Sequence, residues 1–273
     1  MSVDADTDAL AARDLLVSAA REAGAVALEY FNPGGRTSAR VVTKAGGSPV
    51  TDADLAANSL LKRRLQEALP DAGWLSEETV DDFERLSRHS LIIVDPIDGT
   101  RAFVTGDPRW VVSVALVVDE RPVAGVVYAP ALDETYAAAR GEGATLNGAT
   151  LVPAANWPPR AAAGPKLIIQ AMAAELGASV EIIPRVPSLA YRMCMAARGA
   201  VDFAVAAESS HDWDIAAADI VLEEAGGRLI DASGERLGYN ARQVRRGALL
   251  AAPDAAASRL IKGFRAATGW CPN

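Results

Sequence analysis

Aromatic residues make up only 5% of this chain, and cysteine and histidine occur twice each. Cys194 and Cys271 lie far apart, and Cys194 falls in a helical apolar pattern. A buried, reduced thiol is therefore expected rather than a disulfide. No stretch is rich in lysine or arginine, and the formal charge is −8. Such a surface repels a polyanion, which excludes a nucleic acid polymer as partner. A small phosphorylated substrate stays open, because bound cations reverse the local field. No apolar run is long enough to cross a bilayer, so no membrane partner is expected. The first thirty residues carry Asp4, Asp6, Asp8 and Asp14 and no basic n-region, which argues against a signal peptide. A cytoplasmic, soluble protein is the expectation.

Half of the 273 residues are hydrophobic and alanine is abundant, so the chain is long enough for a sizeable core, with helices carrying much of its mass. Apolar residues from Leu15 to Tyr30 recur at helical spacing and stop at Asn32-Pro33-Gly34-Gly35. A second helix is expected from Thr51, where Thr51 and Asp54 have capping-box spacing. Leu91 to Val94 reads as a strand. Val111–Val118 and Val123–Tyr128 read as an antiparallel hairpin, with Thr135–Ala139 as a third member. The proline-bearing stretch 152–165 is the expected domain boundary. Beyond it, strands (Leu167–Gln170, Glu181–Ile183, Asp202–Ala206) alternate with helices (Ser188–Arg198, Trp213–Ala225). Residues 1–152 thus read as an α+β domain with an antiparallel sheet, and 153–273 as an α/β domain.

Chemistry concentrates in Asp95-Pro96-Ile97-Asp98-Gly99-Thr100, directly after the Leu91–Val94 strand. Two carboxylates there sit on a proline-stiffened turn, followed by backbone amides and a hydroxyl, a combination suited to hard cations and phosphate. Ordinary turn residues look the same one at a time. The aspartyl-nucleophile pattern Asp-x-Asp-Gly-Thr is excluded by counting, because carboxylates three apart cannot share one face of an extended strand. Glu77 and Glu78 end a short apolar strand. Asp52 and Asp214 each open a helix, where an acid also serves the helix dipole for up to about 1 kcal/mol. Collected in one place, these acids would demand cations, since two unit charges 4 Å apart repel by roughly 4 kcal/mol at an effective dielectric near 20.

Taken in order, these segments resemble the inositol monophosphatase superfamily of metal-dependent, often lithium-sensitive phosphatases. Ser76-Glu77-Glu78 resembles its Glu-Glu motif, and Ile93 to Thr100 followed by Phe103 its first signature. Trp213-Asp214-Ile215-Ala216-Ala217, closed by Glu224-Ala225-Gly226-Gly227, resembles its second. The resemblance spans nearly the whole chain and implies a layered α/β/α/β/α sandwich, α/β and α+β in class. It implies two or three Mg²⁺ per site. Glu77, Asp95 and the Ile97 carbonyl would hold the first, and Asp95, Asp98 and Asp214 the second. Asp52 and Thr100 would relay the proton of the attacking water, and Gly99 and Thr100 amides would meet phosphate. Lys44 would lie in the loop that closes over the site. Oxygen ligands suit Mg²⁺, so scarce histidine does not weigh against catalysis. A non-catalytic cation-binding regulatory domain would be expected to have lost Asp52 or Thr100, and both are present. The resemblance also implies a homodimer.

Within the superfamily, Ser48 to Asp54, Leu75 to Glu78 and Gly125 to Pro130 look most like bacterial 3′(2′),5′-bisphosphate nucleotidases, which remove the 3′-phosphate of 3′-phosphoadenosine 5′-phosphate. Ser188-Leu189 before a helix fits that branch. Pro187 and Ala218 depart from it, and 206–212 lacks a cation for a 5′-phosphate. Glu208 instead resembles the acid that meets inositol hydroxyls in the monophosphatases, one residue out of register with Asp214. An inositol-1-phosphate or related sugar-phosphate phosphatase is thus the alternative. His211 and Asp212 are the remaining candidates for substrate contacts.

Overall fold

The Asp8 carboxylate accepts hydrogen bonds from the amides of Leu10 and Ala11 and starts α1 (Ala9–Leu28). The computed structural model describes residues 8–154 and 156–270, and Cys271, Asp4 and Asp6 lie outside them. After α1 come β1 (Val41–Thr43), β2 (Pro49–Thr51), α2 (Asp52–Ala68), β3 (Gly73–Ser76) and β4 (Ser90–Asp98). Then follow α3 (Thr100–Thr105), β5 (Val111–Val118), β6 (Arg121–Ala129), β7 (Glu134–Ala139), β8 (Ala144–Leu146) and β9 (Ala149–Thr150). The remainder is β10 (Ala161–Ala163), α4 (Lys166–Leu176), β11 (Glu181–Ile182), α5 (Leu189–Ala197) and β12 (Phe203–Ala206). It ends with α6 (Asp212–Glu224), β13 (Gly227–Asp231), β14 (Leu249–Pro253) and α7 (Asp254–Thr268).

Strands β3 to β9 form a seven-stranded sheet in sequence order, antiparallel except for the parallel pair β3–β4. A five-stranded sheet has the order β11-β10-β12-β14-β13. Alternation along the strands sorts side chains into three layers. Ile92, Val94, Val112, Val114 and Leu116 meet α1 and α2 through Leu16, Ala20, Leu61 and Leu65. Their neighbours Leu91, Ile93, Val111, Ala115 and Val117 face the opposite way, onto α5 and α6. The inner face of the second sheet, with Ala163, Ala204, Leu249 and Ala251, joins that same cluster. Its outer face, with Phe203, Val205 and Leu250, packs on α4 and α7 through Met172, Leu260 and Phe264. Burying each large side chain contributes roughly 1.5–3 kcal/mol. The result is the expected α/β/α/β/α layering, with α5 and α6 shared between the two sheets.

One element differs in kind. Leu167–Gln170, expected as a strand, belongs to α4, and the local strand is instead β10 within the proline-bearing stretch. Leu-Ile-Ile is a short apolar run that fits either a strand or a buried helix turn. The helix wins because Lys166 to Leu176 continues without a breaker to Gly177, which caps it at φ 59°.

Candidate active site

The site gathers where β3, β4 and the start of α6 end together. Parallel pairing sets Ser76 against Val94, and the Glu77 amide continues the ladder to the Val94 carbonyl at 3.2 Å. Strand β4 runs through the whole Asp95–Asp98 segment. Its partner register passes from Asp95–Ser113 to Asp98–Val111, so three steps on β4 oppose two on β5. This bulge resets the side-chain alternation, and it is why carboxylates three apart come together. Asp95, Asp98 and Asp214 offer oxygens that all lie within 4.8 Å of one another.

Each carboxylate is aimed by its own neighbours. Asp95 Oδ1 accepts from the Ile97 amide at 3.0 Å. Asp98 Oδ2 accepts from Ser188 Oγ at 2.6 Å and the Ala190 amide at 2.7 Å. Asp214 Oδ2 accepts from the His211 amide at 2.7 Å and closes the first turn of α6. Burial first, then the charges of Glu77, Asp98, Asp214 and Asp54, hold the Asp95 carboxyl well above its usual range. Burial and the Asp214 charge push Asp98 to about 7, against hydrogen bonds from Ser188, Ala190 and Leu189. Three carboxylates crowded together, Asp95 and Asp98 at a buried strand end and Asp214 at a helix start, offer the oxygen donors that fit a hard divalent cation.

The expected partner of Thr100 is corrected. Thr100 Oγ lies 3.2 Å from Asp54 Oδ1 and 3.1 Å from the Ile97 carbonyl. Asp54 Oδ2 takes the Thr51 amide at 2.8 Å and the Thr51 hydroxyl at 2.6 Å, and burial pushes its carboxyl up to about 6. Asp52 points outward and pairs with Arg40 at 3.3 Å. Residues two apart on a helix diverge by about 200°, so only one of them can face Thr100. The sequence held the signal in Thr51-x-x-Asp54, read there as a cap alone.

Other expected site residues separate. Lys44 Nζ sits 2.9 Å from Glu77 and 2.7 Å from Glu78, so the Glu77 carboxylate pairs with an ammonium beside the group of three. Ser188 is fully buried and serves Asp98 while accepting from the Tyr191 amide at 3.0 Å. Asp212 is no open contact: it is buried and paired with Arg246 at 2.6 Å. Glu208 is exposed and lines a cavity of about 280 Å³ with Asp231, Ser233, Thr268 and Trp270. His211 is half-buried and stacks on Trp213, ring centroids 4.6 Å apart.

Such a carboxylate group, beside a buried threonine–aspartate pair, is suited to metal-assisted hydrolysis of a phosphate ester. The chain belongs to the inositol monophosphatase family, which it matches over residues 11–268. It is 32% identical over 254 residues to inositol monophosphatase 2 of Solanum lycopersicum, covering 85% of this chain and 91% of that one. It is 37% identical over 223 residues to a histidinol-phosphatase of Mycobacterium tuberculosis, covering 73% and 80%. The crystal structure of CysQ from Bacteroides thetaiotaomicron, a bacterial member of the family, superposes with a TM-score of 0.75 at 26% identity, covering 89% and 97%.

Proposed function

We propose that this protein is a Mg²⁺-dependent phosphomonoesterase whose preferred substrate is a 3′(2′),5′-bisphosphate nucleotide such as 3′-phosphoadenosine 5′-phosphate. The observation that carries the hydrolytic reading is the convergence of Asp95, Asp98 and Asp214 beside Thr100 and Asp54. Asp95, Asp98 and Asp214 would hold Mg²⁺, with Glu77 and the Ile97 carbonyl joining when Lys44 and the Thr100 hydroxyl release them. Bound there, the metal supplies a water of lowered pKa and charge compensation for the leaving oxygen. Thr100 Oγ would accept a proton from the attacking water while donating its own to Asp54 Oδ1, with which it is already hydrogen-bonded. A carboxyl pushed to about 6 by burial is a fitting acceptor near neutral pH. Gly99, held at φ 95°, turns the chain into α3 so that its own amide and that of Thr100 meet the phosphate.

For the substrate, the resemblance of Ser48–Asp54 and Leu75–Glu78 to the nucleotidases speaks for the nucleotide. Glu208, the residue on which an inositol reading rested, lines a cavity that none of Asp95, Asp98 and Asp214 lines. The test is phosphate release from 3′-phosphoadenosine 5′-phosphate, inositol 1-phosphate and histidinol phosphate, each with Mg²⁺ and with EDTA. Turnover that requires Mg²⁺ and favours the nucleotide by about tenfold or more is expected. Favoured inositol or histidinol phosphate reverses the substrate assignment, and metal-independent turnover overturns the mechanism.

A further inference from the structure

Helix α5 leads from the carboxylates to a second charged place. Ser188 caps it and binds Asp98, and Ser188 Cβ lies 3.4 Å from where a side chain on Gly99 would begin. One turn further on is Arg192, whose amide donates to the Ser188 carbonyl at 3.2 Å. Arg192 lines a cavity of about 380 Å³ together with Lys166 and Arg185, between Gly164, Ile182 and Ile183. Among the described residues, three cations and no carboxylate line it.

That imbalance stands out in a chain of net charge −8. Three other sheltered arginines have acids: Arg85 with Asp81, Arg198 with Glu134, Arg246 with Asp212. Arg192 Nε, like Arg198 Nε, is buried with no hydrogen-bond partner among the described residues, but Arg192 has no acid beside it in the cavity. Burial lowers the Arg192 guanidinium below its usual value, the Asp98 charge favours its charged form, and Arg185 opposes it. The cavity also receives the start of α4, an 11-residue helix whose N-cap, Pro165, offers no side-chain acceptor. A buried N–H without a partner is costly, and the planar fork of the guanidinium matches the oxygens of a phosphate.

We propose that the cavity of Lys166, Arg185 and Arg192 is a second anion subsite that takes a second phosphate of the substrate and selects bisphosphorylated molecules over monophosphates. The selection rests on the phosphatase reading of the carboxylate site, whereas anion binding in the cavity does not.

The cleanest comparison uses the same ester with and without the second phosphate: 3′-phosphoadenosine 5′-phosphate against adenosine 3′-phosphate. The native enzyme is expected to favour the bisphosphate in kcat/KM by about tenfold or more. Arg192→Gln and, independently, the exposed Lys166→Gln should each reduce that ratio, chiefly through KM. Equal use of both esters by the native enzyme overturns the proposal. So does an Arg192→Gln protein, folded by circular dichroism, that loses both activities in proportion, since Arg192 would then only position α5 and Asp98.

A readout independent of turnover is calorimetric titration of the native protein with adenosine 5′-monophosphate in EDTA. Binding that either substitution weakens by about tenfold is expected. No binding overturns the subsite even if the enzyme is active. Free phosphate binding as tightly as the nucleotide also overturns it, because the cavity would then hold the ion rather than the substrate. Binding that the substitutions weaken, in a protein that hydrolyses none of the esters, upholds the subsite and removes the phosphatase reading instead.

Discussion

Thr100 Oγ and Asp54 Oδ1 stand 3.2 Å apart across 46 residues of chain, and both side chains are buried. The contact joins the first turn of α2 to the first turn of α3. It also places a carboxyl pushed to about 6 against the hydroxyl that follows the two strand-end acids.

Asp54→Asn keeps an acceptor for the Thr51 amide but removes the proton acceptor. Turnover is expected to fall on the order of 10²–10⁴-fold. Asp52→Asn loses only a surface pair with Arg40, worth at most about 1 kcal/mol, and should leave kcat within about twofold. Steady-state kinetics of the two variants side by side decides between them; equal loss in both would refute the assignment of Asp54. Thr100→Ala should cut kcat without a matching loss of Mg²⁺ affinity.

Asp95→Asn removes the most crowded carboxylate and is expected to abolish activity while the circular dichroism spectrum is unchanged. EDTA should do the same to the native enzyme, reversibly. An active Asp95→Asn protein would end the metal assignment.

Asp219 in α6 has no partner in the proposed chemistry and tests the electrostatics of the core alone. It is buried, accepts from the Tyr239 hydroxyl at 2.7 Å, and is pushed by burial to about 7. In the unfolded chain such a group titrates near 3.9. The folded form therefore binds a proton that the unfolded form has released, and stability from this source is full at low pH and lost as pH rises through about 7. Asp219→Asn still offers Tyr239 an acceptor and ends that loss. Its melting temperature relative to the native protein should rise between pH 5 and pH 8, by several degrees for a contribution on the order of 1–2 kcal/mol. A difference that does not change with pH would count against the buried proton.

Gly125 in β6 lets α6 approach the sheet. A Cβ there would lie 2.6 Å from Ile220 Cγ2 and 3.0 Å from the Ala217 carbonyl. Gly125→Ala must therefore push α6 outward, and Asp214 with it. A loss of about 1–3 kcal/mol is expected in denaturant unfolding, together with weaker Mg²⁺ binding by calorimetry. Native-like affinity in a destabilised variant would separate the packing of α6 from the aim of Asp214.

Local pattern was enough for several elements. The opening helix, the Thr51–Asp54 capping box and the Val111–Tyr128 hairpin follow from periodicity and turn residues, which act over a few positions. The acids Asp95, Asp98 and Asp214 were singled out by the resemblance of their segments to a known family, and the fold brings their oxygens together. What pattern left open was decided by packing. Leu167–Gln170 became helix because its continuation to Gly177 packs Ile169 and Met172 under the second sheet. Asp54 rather than Asp52 faces Thr100 because α2 presents one side to the core. Glu208 lines a cavity that none of Asp95, Asp98 and Asp214 lines, and a bulge that no composition announces brought Asp95 and Asp98 onto one side. Lys166, Arg185 and Arg192 are spread over α4, α5 and the segment between them and look like ordinary surface charges in sequence. They form one cavity only because the chain returns there through the second sheet, and adjacency in space is a property of tertiary packing that residue order does not carry.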